Sequence, residues 1–330
     1  MPQKVIFSDL DGTLLHIADD ALQRHGTMSE DGRTFETVQG VNISVRPLPP
    51  STTGTQAFIS ERTLQLVAEI RRSGHLFVLI SGARSSTFME RLPYLPAADA
   101  YVMENGGRIF FPSSDSLTAA PIVEDLVWRG QHVASPMVVE SVPPAERPGV
   151  LWELYNRLQK EGWACDANRY STDFRVSVKK STGKTAADLD KIISSLPPQL
   201  ASSFNLGSAD FYPSSSGKDK AAEYLIKKFG FTKANSISIG DDDNDLALAQ
   251  VVGHTYVPGF TAESMRNAVA TNPLAFTVAS SSAFLGTHEV LEKIQELPTA
   301  LSIRSTRPLW VCSLVALSLI LLAKRRQRRI

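Results

Sequence analysis

The chain has 330 residues, 43% of them hydrophobic, and its 34 basic and 34 acidic residues give a formal net charge of zero. This length and apolar content are typical of a globular protein of about two domains and exclude a disordered chain. The last seven residues hold five cations and no acid, so the 29 basic and 34 acidic residues of 1–323 carry a net charge of −5. No basic face suited to nucleic acid is visible, and we expect no nucleic-acid partner.

Two features indicate the compartment. Two cysteines, Cys165 and Cys312, are too few for a disulfide framework and favour a reducing environment. The chain enters its first predicted strand without a charged leader or apolar leader segment, so we expect no secretory signal.

Four short apolar segments, each bounded by Gly, Asp or Ser, predict strands. They occupy residues 4–9, 75–81, 100–104 and 235–240. Such segments are typical of parallel strands buried on both faces of a sheet. Between the first two, residues 60–74 have a helical period, with Ser60 as N-cap and Gly74 as terminator. The alternation predicts an α/β fold with a doubly wound parallel sheet.

Two stretches interrupt this alternation. Residues 17–59 are rich in Asp, Gly, Thr, Ser and Pro and are too long for an ordinary connection, so they form either a flap over the strand ends or a disordered loop. Residues 108–212 carry their own strands and helices and predict an inserted α+β cap domain. The core is thus expected in two parts, 1–107 and 213–298.

Two aspartates, Asp9 and Asp11, follow the first predicted strand. Ligands of open parallel sheets bind outside the carboxyl ends of the strands, where both side chains are expected. The alternative is a turn that merely favours Asp and Gly. A second acidic segment, residues 241–245, follows another predicted strand and weakens that alternative. Carboxylates gathered at one edge repel unless a cation compensates, and oxygen ligands of this kind suit Mg²⁺.

The parts of a phosphate site accompany these carboxylates. Ser81 and Gly82 end the second predicted strand just before a helix, where a hydroxyl and backbone N–H groups can bind an anion. Lys218 opens a later helix and can neutralise aspartate and phosphate charge. Taken singly, an N-cap serine and a surface lysine would be the commoner interpretation.

In this order the four pieces resemble the motifs of the haloacid dehalogenase superfamily of phosphohydrolases. The matching residues are 9–13 (DLDGT), Ser81, Lys218 and 240–245 (GDDDND). Three further segments are similar to the Cof-like, type IIB branch, which carries its cap between the second and third motifs: 104–107, 213–221 and 280–294. The resemblance covers about 1–16, 58–107 and 213–298. It implies a Rossmann-like core with a type C2 cap.

The resemblance also assigns roles. Asp9 would be the nucleophile that forms an aspartyl-phosphate, and Asp11 the general acid and base. Ser81, the Gly82 amide and Lys218 would bind the phosphoryl group, with Lys218 also catalytic. Mg²⁺ would be held by Asp9, the Asp11 carbonyl and Asp241, with Asn244 and Asp245 as indirect partners.

An aspartate at position 11 separates the family's phosphatases and phosphomutases from its dehalogenases. We therefore expect a Mg²⁺-dependent phosphatase of small phosphorylated metabolites, most naturally sugar phosphates. Glu104 and Asn105 would orient sugar hydroxyls. Further cap candidates are Tyr170, Arg175, Lys179 and Asp210. The alternatives are a phosphohexomutase and a membrane-tethered regulatory protein with little turnover.

The C-terminal segment predicts a separate function. After a linker at 299–308, residues 309–323 are uncharged, and 324–330 form a basic tail. As a helix, 309–323 would span about 22 Å of a hydrocarbon core about 30 Å thick, and Trp310 and the flanking cations resemble interfacial anchors. We expect a tail anchor that leaves the catalytic domain in the cytosol, at the mitochondrial outer membrane, peroxisome or endoplasmic reticulum. The alternative is a last helix docked on the core.

Overall fold

The structure is a computed structural model that describes residues 3–52, 54–113, 121–139, 141–205 and 208–298. The predicted anchor at 309–323 lies outside these residues. Within the described ranges, no helix has the length and apolar character needed to cross a bilayer.

Strands of the described residues are β1 (Val5–Ser8), β2 (His16–Ile17), β3 (Gly26–Met28), β4 (Thr34–Thr37), β5 (Asn42–Pro47), β6 (Ala57–Ser60), β7 (Leu76–Ile80), β8 (Ala100–Met103), β9 (Arg108–Pro112), β10 (Ile122–Glu124), β11 (Cys165–Asp166), β12 (Phe174–Val176), β13 (Leu200–Asn205), β14 (Ser208–Pro213), β15 (Ser236–Ile239), β16 (His254–Val257) and β17 (Phe276–Val278). Helices are α1 (Asp20–Gln23), α2 (Glu61–Arg72), α3 (Ser85–Arg91), α4 (Leu126–Arg129), α5 (Val150–Lys160), α6 (Ala186–Ser194), α7 (Lys218–Lys228), α8 (Leu246–Val251), α9 (Glu263–Thr271) and α10 (Ala283–Gln295).

An eight-stranded sheet forms the core, in the order β10-β9-β8-β7-β1-β15-β16-β17. The six strands from β8 to β17 pair in parallel, which confirms the predicted α/β fold. Successive residues of β1 point to opposite faces of the sheet. Ile6 belongs to the same apolar cluster as residues of α2 and α10, whereas Phe7 packs with residues of α7 and α8. The four predicted strands form β1, β7, β8 and β15, which places β1 at the centre of the sheet.

Residues 16–60 form a second, antiparallel sheet in the order β2-β6-β5-β4-β3. We call this part the insertion. Its apolar cluster contains Phe35, Ile43 and Phe58 together with Phe284 of α10. The rings of Phe35 and Phe284 meet edge to face, 5.2 Å between centroids. The sequence left a flap and a disordered loop as alternatives for 17–59, and the structure shows strands that share a buried cluster with the core.

A four-stranded antiparallel sheet, β11-β12-β14-β13, forms the cap together with α5 and α6. Phe174 and Phe211 stack in its interior, 5.2 Å between ring centroids. The predicted cap began at residue 108, but β9 pairs with β8 and β10 pairs with β9. Both strands therefore extend the core sheet, because an antiparallel hairpin at its edge continues the hydrogen bonding of β8.

Candidate active site

Two acidic loops meet at the carboxyl ends of β1 and β15. The two strands are parallel neighbours, so Asp9 after β1 and Asp241 after β15 reach the same edge, as the sequence predicts. The Asp9 amide donates to the Ile239 carbonyl (2.9 Å), and Thr13 Oγ1 donates to Asp241 Oδ1 (2.6 Å). These bonds tie the first loop to the second and bury both carboxylates.

A glycine makes this close approach possible. Gly12 has φ of +87°, a backbone conformation that side chains disfavour, and a Cβ at this position would lie 2.2 Å from Asp241 Oδ2. The glycine of the first motif is therefore required both by the turn and by the space that Asp241 occupies.

Lys218 is the cation at the centre of the carboxylates. Its Nζ donates to Asp9 Oδ1 (2.6 Å), to Asp245 Oδ1 (2.7 Å) and to Asn244 Oδ1 (3.2 Å), and its side chain is 1% exposed. Burial alone would lower the pKa of Lys218, but the charges of Asp245 and Asp9 outweigh it and the pKa is raised. The lysine therefore remains a cation. The structure brings together Asp9, Lys218, Asp241, Asn244 and Asp245.

The carboxylates of Asp9, Asp241 and Asp245 lie close enough for one ion, with ligand atoms within 4.8 Å of one another. Burial and the charges of Asp245 and Asp241 raise the pKa of Asp9 well above its usual value despite Lys218. Burial, with Asp245 next in importance, raises the pKa of Asp241 to about 7. One lysine does not balance three buried carboxylates, and their oxygens are the donors that Mg²⁺ prefers, so the residues fit such an ion. Asp245, predicted as an indirect partner, belongs to this group.

Ser81 and Gly82 lie where β7 ends. Ser81 is buried, and its Oγ accepts a hydrogen bond from the Ala83 amide (3.0 Å). This bond leaves the hydroxyl hydrogen available to an anion. Gly82 lines a cavity together with Asp11, so one predicted phosphate-binding residue and the predicted acid border the same space.

That cavity lies between the core, the insertion and the cap. Its lining residues are Asp11, Ile17, Ser51, Thr52, Thr55, Gly82, Ala83, Arg84, Thr87, Arg91, Tyr170 and Arg175. We call it the leaving-group cavity, because it borders Asp11, the predicted general acid. Of the cap candidates, Tyr170 and Arg175 line this cavity. Asp210 accepts two hydrogen bonds from Arg175, of 2.6 and 2.8 Å. Lys179 is exposed and does not line the cavity.

Glu104 and Asn105, predicted to contact the substrate, join core and cap. Glu104 Oε1 accepts from Ser85 Oγ (2.6 Å), and Oε2 accepts from the Ser171 and Thr172 amides (2.9 and 2.8 Å). Asn105 Nδ2 donates to Asp173 and Asp210 of the cap (2.7 and 3.1 Å). Both side chains are buried and engaged by protein groups, so a substrate role for them stays a prediction.

Two arginines of the cavity were not predicted. Arg84 donates to Asp166 (2.7 Å) and to the Asn168 carbonyl (3.0 Å) and lies over the ring of Tyr170, 4.7 Å from its centroid. Arg91 contacts Asp11 (3.4 Å). Arg84 follows β7 by four positions, which was its only available signal, whereas Arg91 ends α3 and had none.

A family model described as haloacid dehalogenase-like hydrolase matches residues 167–270, which include Lys218 and the second acidic loop. The resemblance to the haloacid dehalogenase superfamily is confirmed. Comparison with curated proteins finds no match. The prediction of a hydrolase is likewise confirmed by the family model.

Solved structures share this haloacid dehalogenase-like fold. Sucrose-phosphatase from Synechocystis, in complex with sucrose and phosphate, has a TM-score of 0.59 and 14% identity over 90% of this chain and 100% of that chain. A haloacid dehalogenase-like hydrolase from Bacillus subtilis has a TM-score of 0.56 and 11% identity over 90% and 100%. A Thermoplasma acidophilum protein has a TM-score of 0.55 and 12% identity over 89% and 99%. At these identities the comparison establishes the fold alone.

Proposed function

We propose that the chain is a Mg²⁺-dependent phosphatase of small phosphorylated metabolites, with sugar phosphates as the first candidates. One observation carries the proposal. At the end of the central strand, Asp9 accepts a hydrogen bond from Lys218, and Asp11, two residues later in the sequence, borders the leaving-group cavity. A nucleophile beside a fixed cation, with a second carboxyl facing the leaving group, is the arrangement that phosphoryl transfer through an aspartyl-phosphate needs.

The chemistry has two steps. An oxygen of Asp9 bonds to phosphorus while the bond from phosphorus to the ester oxygen breaks, and Asp11 gives its proton to that oxygen. Asp11 then takes a proton from a water molecule, whose oxygen bonds to phosphorus as the bond to Asp9 breaks. Lys218, the Ser81 hydroxyl and the Gly82 amide offset the charge of the phosphoryl oxygens. The products are the alcohol and inorganic phosphate.

The metal would be held by Asp9, Asp241 and Asp245. When bound, Mg²⁺ supplies positive charge that reduces the repulsion between the phosphoryl oxygens and the carboxylates. Lys218 keeps Asp9 in place in either case, because its bonds to Asp9 and Asp245 are formed by the protein alone.

The substrate class follows from the enclosure of the site. The leaving-group cavity is bounded by the insertion on one side and the cap on the other, which favours small molecules over macromolecular phosphoesters. Its lining combines hydroxyl groups with guanidinium groups, which suits a polyhydroxyl compound. The structural relative solved with sucrose and phosphate supports the choice of sugars.

The two alternatives are less favoured. A phosphohexomutase would share the motifs, but the family model describes hydrolases. A regulatory protein without turnover would not need the complete set of Asp9, Asp11, Ser81, Lys218 and Asp241, all of which this chain has. Attachment to a membrane through residues 309–323 stays a prediction, as do the cytosolic placement of the catalytic domain and its organelle.

The test is phosphate release from a panel of sugar phosphates by the full chain, with and without Mg²⁺. We expect metal-dependent release that is lost in Asp9→Asn and retained in Asp190→Asn, an exposed cap aspartate. Conversion of a hexose phosphate to its isomer without phosphate release would favour the mutase. No reaction with any ester would overturn the phosphatase.

A further inference from the structure

Arg91, the last residue of α3, is a buried cation beside the proposed general acid. Its side chain is 5% exposed, whereas that of Asp11 is 26% exposed. Among the described residues, Asp11 is the only carboxylate within 4.0 Å of Arg91. Buried arginines are uncommon unless they are paired, so this contact is the charge partner that the fold gives to Arg91.

The same guanidinium holds the insertion. Arg91 Nε donates to the Pro49 carbonyl (3.1 Å), and Nη2 donates to the Thr55 carbonyl (3.2 Å). Both acceptors lie in the loop between β5 and β6, which contributes Ser51 and Thr55 to the leaving-group cavity. Arg91 therefore contacts, through three different nitrogens, the proposed acid and one wall of the space that the leaving group would occupy.

We propose that Arg91 is a positioning residue that acts through Asp11: it fixes the Asp11 carboxylate toward the leaving oxygen and seats the β5–β6 loop over the cavity. The inference rests on the proposed phosphatase activity and deepens it. Arg91 uses Nη1 against Asp11 Oδ1 alone, which leaves Oδ2 for the substrate. Arginine suits this task because its planar fork reaches three acceptors in fixed directions, which the single ammonium of lysine cannot do.

A positioning role for the acid predicts a dependence on the leaving group. A sugar alkoxide is a poor leaving group and requires the proton from Asp11, whereas p-nitrophenolate leaves with little help. We expect Arg91→Met to lower kcat/KM for the best sugar phosphate by about tenfold to a hundredfold, a part of the roughly 10²- to 10⁴-fold that general acid catalysis contributes, and for p-nitrophenyl phosphate by less than about threefold. We compare kcat/KM because it reports the steps up to release of the alcohol and leaves out hydrolysis of the aspartyl-phosphate, in which Asp11 would serve both substrates equally. Arg91→Lys, which keeps the cation, should lie between the wild type and Arg91→Met.

The ratio of the two kcat/KM values is measured on one preparation, so a loss of folded protein cancels. Arg71→Met is the matched control. Arg71 also lies in the last turn of a helix, α2, and pairs with an aspartate, Asp99, but lies outside the leaving-group cavity. This variant should leave the ratio unchanged.

A double-mutant cycle separates a role through Asp11 from an independent one. In the Asp11→Asn background, Arg91→Met should lower kcat/KM for the sugar phosphate by less than about twofold, because the group that it positions is absent. An equal loss with both substrates, or an undiminished loss in the Asp11→Asn background, would overturn the role of Arg91 and leave the phosphatase intact. A wild type inactive with both esters would overturn the phosphatase and this inference with it.

Discussion

Lys218 Nζ lies 2.6 Å from Asp9 Oδ1, although 209 residues separate the two in the chain. The contact joins the first core segment to the segment that follows the cap. It also holds Asp245, so that a single buried ammonium group serves two carboxylates. The stability of the core and the proposed chemistry therefore depend on the same atom.

The first prediction concerns this ammonium group. Lys218→Met should lower the free energy of unfolding by about 3–5 kcal/mol, because it leaves buried carboxylates without their partner. Urea denaturation in the presence of a chelator measures the effect. Lys220→Met is the control on the same helix. Its side chain is 48% exposed and its ion pairs are solvated, so its effect should stay below about 1 kcal/mol. Equal stabilities of Lys218→Met and the wild type would contradict the prediction.

The second prediction concerns the cation. Mg²⁺ should stabilise the wild type by about 2.7 kcal/mol at one hundred times its dissociation constant, as for any ligand that binds only the folded state. Thermal unfolding with Mg²⁺ or with a chelator measures the response. Asp241→Asn should remove it, and Asp243→Asn should keep it, because Asp243 lies outside the group of three carboxylates. A wild type with the same melting temperature in both conditions would exclude the proposed ion.

The third prediction concerns the junction of core and cap. In Glu104→Gln an amide NH₂ group replaces one of the two acceptor oxygens. In one orientation of the amide this NH₂ faces the backbone N–H of Ser85, and in the other it faces those of Ser171 and Thr172, so a donor meets a donor in both. We expect a loss of about 1–3 kcal/mol, the cost of unsatisfied buried polar groups. Hydrogen exchange should become faster at Ser171 and Thr172. Glu153→Gln, an exposed change on α5, should alter neither quantity.

The fourth prediction concerns acid. Burial lowers the pKa of His16 to about 3, and that of His132 and of His288 to about 4. An unfolded histidine titrates near 6.5, so below that pH the unfolded chain binds more protons. The contribution of these histidines to stability should therefore fall as the pH decreases from about 6.5 to about 4, whereas the raised pKa values of Asp9 and Asp241 act in the opposite direction.

The contribution of one histidine can be isolated. Replacing His16 with Asn should reduce this slope by about 1.4 kcal/mol per pH unit, the value for one proton. Urea denaturation at several pH values measures the slope. Above pH 7 the two proteins should differ by a constant amount. An unchanged slope below pH 6 would contradict the prediction.

The residues whose predicted position in the fold is confirmed are those that follow a strand end. Asp9, Ser81 and Asp241 each follow a short apolar strand, and parallel strands bring such residues to one edge whatever the rest of the chain does. Ser60 caps α2 as predicted, accepting from the Thr63 amide at 2.9 Å, because capping depends on neighbours three residues away. Local and topological rules were sufficient for these residues.

Other features depend on which elements become neighbours in space. Strands β2 to β6 are short, and their pairing is set by residues far along the chain, so the sequence did not decide between a flap and a disordered loop. Glu104 was predicted correctly at a strand end. The cap residues that donate hydrogen bonds to its carboxylate, Ser171 and Thr172, lie 67 and 68 positions later in the sequence. Arg91 reaches Asp11 across 80 positions, and no local pattern marks such a contact.

The contact of Phe284 with the insertion determines when the apolar core of that sheet can be completed during synthesis. Phe35, Ile43 and Phe58 emerge from the ribosome more than two hundred residues before Phe284, their partner from α10. Until Phe284 emerges, these side chains lack an aromatic ring that closes their cluster, and the nascent insertion presents apolar surface to chaperones and proteases. Maturation of the early part of the chain is thus linked to translation of α10, the last helix among the described residues.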